Sequence, residues 1–299
     1  MKAVVATPEI YMGVMDGGIP HIVEPLKSLG HDAILFDNLK YGDKEFIELI
    51  NNFKPDFIYC GLIENQLSYD TLKYIKDNTD SVIINWFCDD AWRFNNFSSK
   101  YCTAFDYVVT TDKESYIKYK KQLNYNNVML STFFCSPKIF YPIETEKIYD
   151  VTFIGRVHGD RQKMFDILNR SDIKVNVFNN LPTYKDINKI YNQSKIVLAF
   201  SMSSDGIHKQ DKGRFYETTA TSACMFTDYD FDKENKAFRS NIDCVVYNNN
   251  YELIEKLRYY LKNDSERVII GMNGYETFFK NHTSCVRLQQ LFNFCGIDK

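Results

Sequence analysis

Asp150-Val151-Thr152-Phe153-Ile154-Gly155-Arg156-Val157-His158-Gly159-Asp160-Arg161 is the stretch on which the reading of this 299-residue chain turns. The run Val151–Ile154 leads into a loop with two glycines and an arginine, and a second arginine opens a helix-period segment, Arg161–Asn169. A short, non-alternating apolar run suits a strand buried on both faces, as in parallel sheets covered by helices. Glycines let the backbone turn sharply and lie close to a ligand, while guanidinium forks and helix N–H groups suit a diphosphate. The alternative for the arginines is solvation of a helix start.

The same strand–loop–helix unit repeats outward in both directions. Downstream, strands at Val175–Phe178, Ile196–Phe200, Cys224–Thr227 and Cys244–Tyr247 alternate with helices at Tyr184–Asn192, Gly213–Thr221 and Tyr251–Lys262. Upstream, strands at Ala3–Ala6, Ala33–Phe36, Phe57–Cys60, Val82–Trp86, Tyr107–Thr110 and Val128–Leu130 alternate with helices at His21–Leu29, Asp43–Phe53, Tyr69–Asp77 and Lys113–Leu123. Gly30 stops the first of these helices, and Asp43 caps the second, which ends before Pro55. Strand–helix alternation of this kind predicts α/β, doubly wound sheets. Between the two series, Pro137 and Pro142 sit in a stretch without a period, read as a linker over 137–149. The expected organisation is two Rossmann-like domains, 1–136 and 150–299, the second ending in a helical tail over Ser265–Phe294.

Composition narrows the partners. Hydrophobic residues at 44% and charged residues at 25% are globular values. A net charge of −3 does not point to nucleic acid, although a local basic face is compatible with it. No apolar run reaches the roughly 18 residues of a membrane helix. The N-terminal apolar run is short and reads as a strand rather than a signal peptide. Eight cysteines lie scattered, with no Cys-x-x-Cys pair, so reduced thiols in a cytoplasmic protein (host cytoplasm for a viral one) are expected. The five histidines are equally scattered, and neither metal nor cofactor is expected.

Three further segments can carry chemistry. In Asp16-Gly17-Gly18-Ile19-Pro20, Gly17 and Gly18 let the backbone approach a ligand and Asp16 can accept a proton; the alternative is a turn without a ligand. In Asn85-Trp86-Phe87-Cys88-Asp89-Asp90-Ala91-Trp92-Arg93-Phe94, at a strand's carboxyl end, Trp86 and Trp92 can stack on a sugar. Asp89 and Asp90 can orient or deprotonate a hydroxyl there, and the alternative is a salt-bridged loop. In Lys212-Gly213-Arg214-Phe215-Tyr216-Glu217-Thr218-Thr219-Ala220, Glu217 can accept two ribose hydroxyls, although a lone helical Glu is more often solvated.

These residues together resemble the CgeB-like glycosyltransferases, related to the large group 1 class. Asp89-Asp90-Ala91-Trp92-Arg93-Phe94 is similar to that family's Asp-Asp-Pro-Trp-Arg segment, and Phe105–Asp112 and Pro137–Pro142 to the segments after it. Asp150–Gly155 is similar to its Asp-Val-x-Phe-x-Gly, with Arg161 on its characteristic arginine. Arg214-Phe215-Tyr216-Glu217 falls on its Arg-x-Phe-Glu, Thr227-Asp228-Tyr229 on its Thr-(Asp/Glu)-Tyr, and Leu257–Leu261 and His282-Thr283 on its tail.

The resemblance implies a GT-B fold, two Rossmann-like domains facing across a cleft. It implies metal-independent transfer of a hexose or pentose from a UDP- or GDP-sugar to a hydroxyl. Glu217 would hold the ribose, Arg156, Arg161 and Arg214 would neutralise the diphosphate, and Gly155 and Phe215 would complete the donor site. The N-terminal domain would bind the acceptor near Gly17, Gly18, Trp86 and Trp92, with Asp16, Asp89 and Asp90 as candidate catalytic groups. A saccharide, a small molecule, a protein or a modified nucleobase all fit as acceptor.

Two positions depart from the pattern. Lys209 stands where group 1 enzymes carry the first acid of Glu-x7-Glu, and Thr221-Ser222-Ala223-Cys224 replaces an Ala-Cys-Gly. The departures keep two other readings open: a nucleotide-sugar-binding protein without catalysis, and a GT-B epimerase using His158 or His208.

Overall fold

The computed structural model describes all residues except 12, 13, 16, 180–182, 298 and 299. It divides into two compact units, one of Met1–Ser136 with Ser284–Lys299, the other of Pro137–Thr283.

In the first unit, β1 (Lys2–Ala6), β2 (Asp32–Phe36), β3 (Phe57–Cys60), β4 (Val82–Phe87), β5 (Tyr107–Thr110) and β6 (Val128–Leu130) form a parallel sheet ordered β2-β1-β3-β4-β5-β6. Val4 of β1 lies between Ile34 and Ile58 in register. Period-2 alternation sends neighbouring residues to opposite faces, and both faces are covered, so the strands read as apolar runs. One face packs Val4, Ile58, Ile83 and Val108 against Phe46 and Ile50 of α2 (Asp43–Phe53), Leu72 and Ile75 of α3 (Tyr69–Asn78) and Tyr119 of α4 (Lys113–Lys121). The other packs Ala3, Val5, Phe57 and Tyr59 against Leu26 of α1 (Glu24–Ser28) and the C-terminal helix. Helix starts follow from local chemistry: Ser68 and Asp112 accept the backbone N–H groups of Thr71 and Ser115. Asp43, expected as a cap, is instead the first residue of α2 and accepts the Ser68 N–H, while the Gly42 N–H before it donates to Glu45.

In the second unit, β7 (Tyr149–Ile154), β8 (Val175–Phe178), β9 (Ser194–Ala199), β10 (Cys224–Thr227) and β11 (Val245–Val246) form a parallel sheet ordered β8-β7-β9-β10-β11. It is covered by α5 (Arg161–Arg170), α6 (Tyr184–Asn192), α7 (Gly213–Ala220), α8 (Asn250–Lys262) and α9 (Asp264–Asn281). Phe153, Ile196, Leu198 and Phe226 meet Phe165, Leu168, Leu253 and Leu257 in its core. In each unit the first strand is flanked by the second and third, so the chain reverses its winding between first and third strand. The carboxyl ends of those two strands frame the crevice where doubly wound sheets take ligands.

Two boundary expectations need correction. Only the first half of the tail stays with the second unit: α9 remains there, whereas α10 (Ser284–Cys295) belongs to the first, where Leu288, Leu291 and Phe292 close the second face of its sheet. Phe292 meets Phe57 and His31 edge-on, both at 5.3 Å. The segment read as a linker is docked on α6, where the N–H groups of Tyr141 and Ile143 donate to the side chains of Asn188 (3.2 Å) and Asn192 (2.6 Å). Those amides satisfy backbone groups that an irregular segment otherwise leaves orphaned.

Where the chain leaves the first unit, the Ser136 N–H donates to His21 Nδ1 at 2.9 Å, and where it returns, Ser284 N–H donates to the Cys135 carbonyl at 3.0 Å. Burial lowers the His21 pKa from 6.5 to about 4, so the folded state keeps this ring neutral while the unfolded chain protonates it. Its contribution is complete above pH 6.5 and is lost as the pH falls toward 4, by up to about 3 kcal/mol. His21→Gln is expected to flatten stability against pH over that window in denaturant titrations; an unchanged slope relative to the parent refutes the assignment.

Candidate functional site

At the switch point of the second unit, β7 ends in Gly155, whose φ of 137° lies in a region L side chains rarely adopt. Its N–H donates to the Phe178 carbonyl at 2.9 Å. The Arg214 Nη1 of α7 donates to the Ile154 carbonyl, and a Cβ on Gly155 would fall onto that guanidinium. The missing side chain is what lets Arg214 cross the strand end.

Arg161, the first residue of α5, spans the same point from the other side. Its Nη1 donates to the Arg156 carbonyl at 2.7 Å and its Nη2 to the Met202 carbonyl at 3.5 Å, joining the loops after β7 and β9. Its guanidinium lies over the rings of Phe153 and Phe200, at 5.5 and 5.3 Å. Burial, and after it the charge of Arg214, bring its pKa down to about 10, with Asp228 and Tyr247 acting in the opposite sense. Two partly desolvated guanidinium groups thus repel each other around Gly155, an arrangement an anion relieves.

Glu217 follows Arg214 by one turn of α7, on the half-buried side of a helix whose Phe215, Tyr216, Thr218 and Thr219 are buried. Its carboxyl makes no hydrogen bond among the described residues. Burial raises its pKa and Arg214 opposes that rise. Helix α7 opens without a side-chain cap, leaving N-terminal N–H groups that favour an anion. Opposite, Asp228 follows β10; its Oδ1 accepts the Ser201 N–H at 2.8 Å. Lys209 donates to the Asp228 carbonyl at 2.8 Å and lies 3.5 Å from its carboxylate. The cation that replaces the expected acid is therefore held by an acid further along the chain. Residues 201–210 fold back on themselves, the Gln210 N–H donating to Ser201 at 3.0 Å and the Ser203 N–H to His208 at 2.8 Å. Near the tip, His208 Nδ1 meets Asp205 Oδ2 at 2.5 Å.

Several expected site residues sit elsewhere. Phe215 is buried against Tyr229 (5.5 Å) and Phe231 (5.2 Å), so it builds the core beneath the site and does not reach a ligand. Arg156 is exposed, and its carbonyl holds Arg161. In the first unit, Asp16 lies outside the described residues. Gly18 lies at the end of that unit's first strand: a Cβ on Gly18 would strike the Thr7 hydroxyl at the end of β1, and one on Gly61, after β3, would lie 2.8 Å from Thr7 Cγ2.

Asp90 is corrected most firmly. It is 1% exposed, its Oδ2 accepts the Tyr119 hydroxyl at 3.1 Å and its carbonyl the Ser115 hydroxyl at 3.1 Å, so it fastens the turn after β4 to α4. Asp89 lies 3.9 Å from Arg93, which also donates to the Ile63 carbonyl (2.8 Å) and to Glu64 (3.1 Å) and covers one side of Trp92 at 4.2 Å. Trp86 packs edge-on to Phe133 at 4.7 Å and against Phe134 at 5.5 Å. The loop thus carries the salt bridge that the alternative reading expects of it, with Arg93 at its centre. Sequence reasoning missed Thr7, which carries no signal alone, and gave no role to Arg93 or Asp228 although both stand in recognisable motifs.

Among the described residues no group of three or more His, Cys, Asp or Glu side chains is placed to hold a metal ion, and no helix is long and apolar enough to cross a membrane.

The chain belongs to the glycosyl transferase-like family, whose model matches residues 138–293, more than half of the sequence. Compared by sequence with curated proteins, it has no significant match. Similar solved structures include sucrose-phosphate synthase from Thermosynechococcus elongatus, with a TM-score of 0.68 at 8% identity over 99% of both chains. A glycosyltransferase from Rickettsia africae aligns with a TM-score of 0.65 at 12% identity, over 99% of this chain and 98% of the other. HepE from Anabaena, in complex with UDP-glucose, aligns with a TM-score of 0.63 at 10% identity over 99% of both. These likenesses show the GT-B fold.

The Asp90 assignment has a measurable consequence. Burial raises its pKa from 3.8 to about 7, so the folded state holds a proton that the unfolded chain releases earlier. Stability is therefore full below pH 3.8 and declines up to pH 7, by as much as about 4 kcal/mol. The stability difference between Asp90→Asn and the parent is expected to move in the variant's favour between pH 4 and pH 7. A difference that moves the other way would show a carboxylate stabilised by partners, as a catalytic anion would be.

Proposed function

We propose that the protein transfers a hexose or pentose from a UDP- or GDP-sugar to a hydroxyl acceptor, without a bound metal. The observation that carries this reading is the pair Arg161 and Arg214 around Gly155, with Glu217 one helical turn away. The two guanidinium groups and the uncapped start of α7 neutralise the charge that develops on a departing diphosphate, the task a metal ion performs elsewhere. Fixed positive groups in a partly dehydrated site act more strongly there than in water. Glu217 accepts the two ribose hydroxyls and so positions the nucleotide. The family match supports sugar transfer, and the UDP-glucose complex of HepE supports a nucleotide-sugar donor.

Within the family we place the chain with the CgeB-like members, on the segments around Asp89–Phe94 and Arg214–Glu217. Gly18, against Thr7, and Gly17 before it are proposed to line the acceptor side, where close backbone approach leaves room for a saccharide or other hydroxyl compound. Eight free cysteines, with burial pushing the Cys224 and Cys295 thiols up to about 12, suit a reducing cytoplasmic setting.

The experiment is incubation with a panel of UDP- and GDP-hexoses and pentoses, reading nucleoside diphosphate release and thermal stabilisation. Release with a cognate donor is expected. Stabilisation without release under any acceptor would favour the binding-protein reading, and no response to any donor or diphosphate would sink both. Glu217→Ala is expected to weaken nucleoside diphosphate binding about 10-fold, or about 1.4 kcal/mol. Gly155→Ala, which evicts Arg214, should cost at least as much. Unchanged affinity in calorimetry for both variants would remove the nucleotide from this site.

A further inference from the structure

Helix α9 is apolar on two opposite sides. Its inner side presses Ile270, Gly271, Gly274 and Phe278 into the second unit, so closely that a Cβ on Gly274 would stand 2.5 Å from the Asp243 carbonyl oxygen. Its outer side carries Val268, Ile269, Met272 and Phe279, exposed at 52, 55, 53 and 55%. Tyr275, partly buried, lies between them and meets the Phe279 ring at 5.9 Å. Positions 268, 272, 275 and 279 follow the 4-3-4 spacing of a helix-pairing seam, which puts all four on one stripe. An outward helix face is ordinarily polar, and a contiguous apolar stripe marks a contact surface.

The charges at the two ends of the helix say what covers the stripe. Asp264 and Glu266 occupy the first turn and Lys280 the last. We propose that α9 is a self-association surface, on which two copies of this chain pair antiparallel about a two-fold axis. That pairing sets Val268 against Phe279 and Met272 against Tyr275, and brings Lys280 of one copy beside Glu266 of the other. It also opposes the two helix dipoles, whereas parallel pairing would place the acidic turns together. A lipid surface fits less well. The helix carries Asp264, Glu266 and Glu276 against Lys280 and an Arg267 that is already paired with Asp264 at 2.6 Å, so it lacks the cationic face that anionic bilayers attract. Tyr259, which donates to Glu266 at 2.8 Å, extends the patch onto α8. One helix face is small beside the roughly 800 Å² per partner of stable complexes, so the dimer is reversible, with a dissociation constant in about the micromolar range.

Sedimentation velocity of the full chain, from about 1 to about 200 µM, spans that range. The expected result is a monomer–dimer equilibrium that Met272→Glu combined with Phe279→Glu abolishes, with the thermal midpoint preserved because both side chains face outward. Lys280→Glu alone is expected to weaken the dimer at least several-fold, and adding Glu266→Lys to restore it. A monomer at every concentration overturns the proposal, as does a dimer that survives the double glutamate variant. A monomer that co-sediments with phosphatidylcholine–phosphatidylserine vesicles overturns it in favour of a lipid contact.

Discussion

The site in the second unit depends on one absent atom. Because Gly155 has no Cβ, the Arg214 guanidinium can lie across the end of β7 and donate to the Ile154 carbonyl. From the far side Arg161 bridges the loops after β7 and β9, and the two cations come to share a small, partly dehydrated volume. Like charges so placed are unfavourable without an anion, and the Arg161 pKa is lowered first by burial and then by the charge of Arg214. Local strain of this kind persists only where the surrounding sheet and helices over-determine it. Here the buried aromatic cluster of Phe215, Tyr229 and Phe231 beneath α7 does so.

The first unit uses the same device with different chemistry. Gly18 and Gly61 both approach Thr7 more closely than any side chain would allow, so backbone crowds the end of its first strand as well. Where the second unit fills its switch point with cations, the first sets a hydroxyl between glycines. Its acidic segment has another role. Asp90 lies under the surface as the acceptor of Tyr119, and Arg93 ties Asp89, Glu64 and the Ile63 carbonyl together.

Much of this was legible because parallel sheets covered on both faces leave a strong trace: short apolar runs bounded by glycine, separated by amphipathic helices. The strands around Val4, Ile58, Phe153 and Phe226 and the helices Asp43–Phe53 and Tyr184–Asn192 were read with their correct type and nearly their bounds. Arg156 and Arg161 were legible as cations near a glycine turn, and Arg214 joined them only through the family resemblance. What misled was identity without burial. Phe215 and Glu217 stand two positions apart in one motif, yet the helix turns the first into the core and leaves the second half-buried. Asp89 and Asp90 are adjacent and chemically alike, yet only Asp90 enters the interior, because the turn after β4 rotates it toward α4.

By itself the sequence determined the α/β class, the two strand–helix series and the glycine–arginine character of the second unit's crevice, since each rests on periodicity or on single-residue backbone preferences. Tertiary structure alone decided where the tail belongs. The apolar stripe of Ser284–Cys295 states that the helix must cover something, but Leu288, Leu291 and Phe292 can cover any apolar face equally well, and the open face was that of the first sheet. It alone also decided that Lys209 meets Asp228 and that Asp90 is buried. Such pairings depend on which strand ends the folded sheet sets side by side, and no local spacing records that.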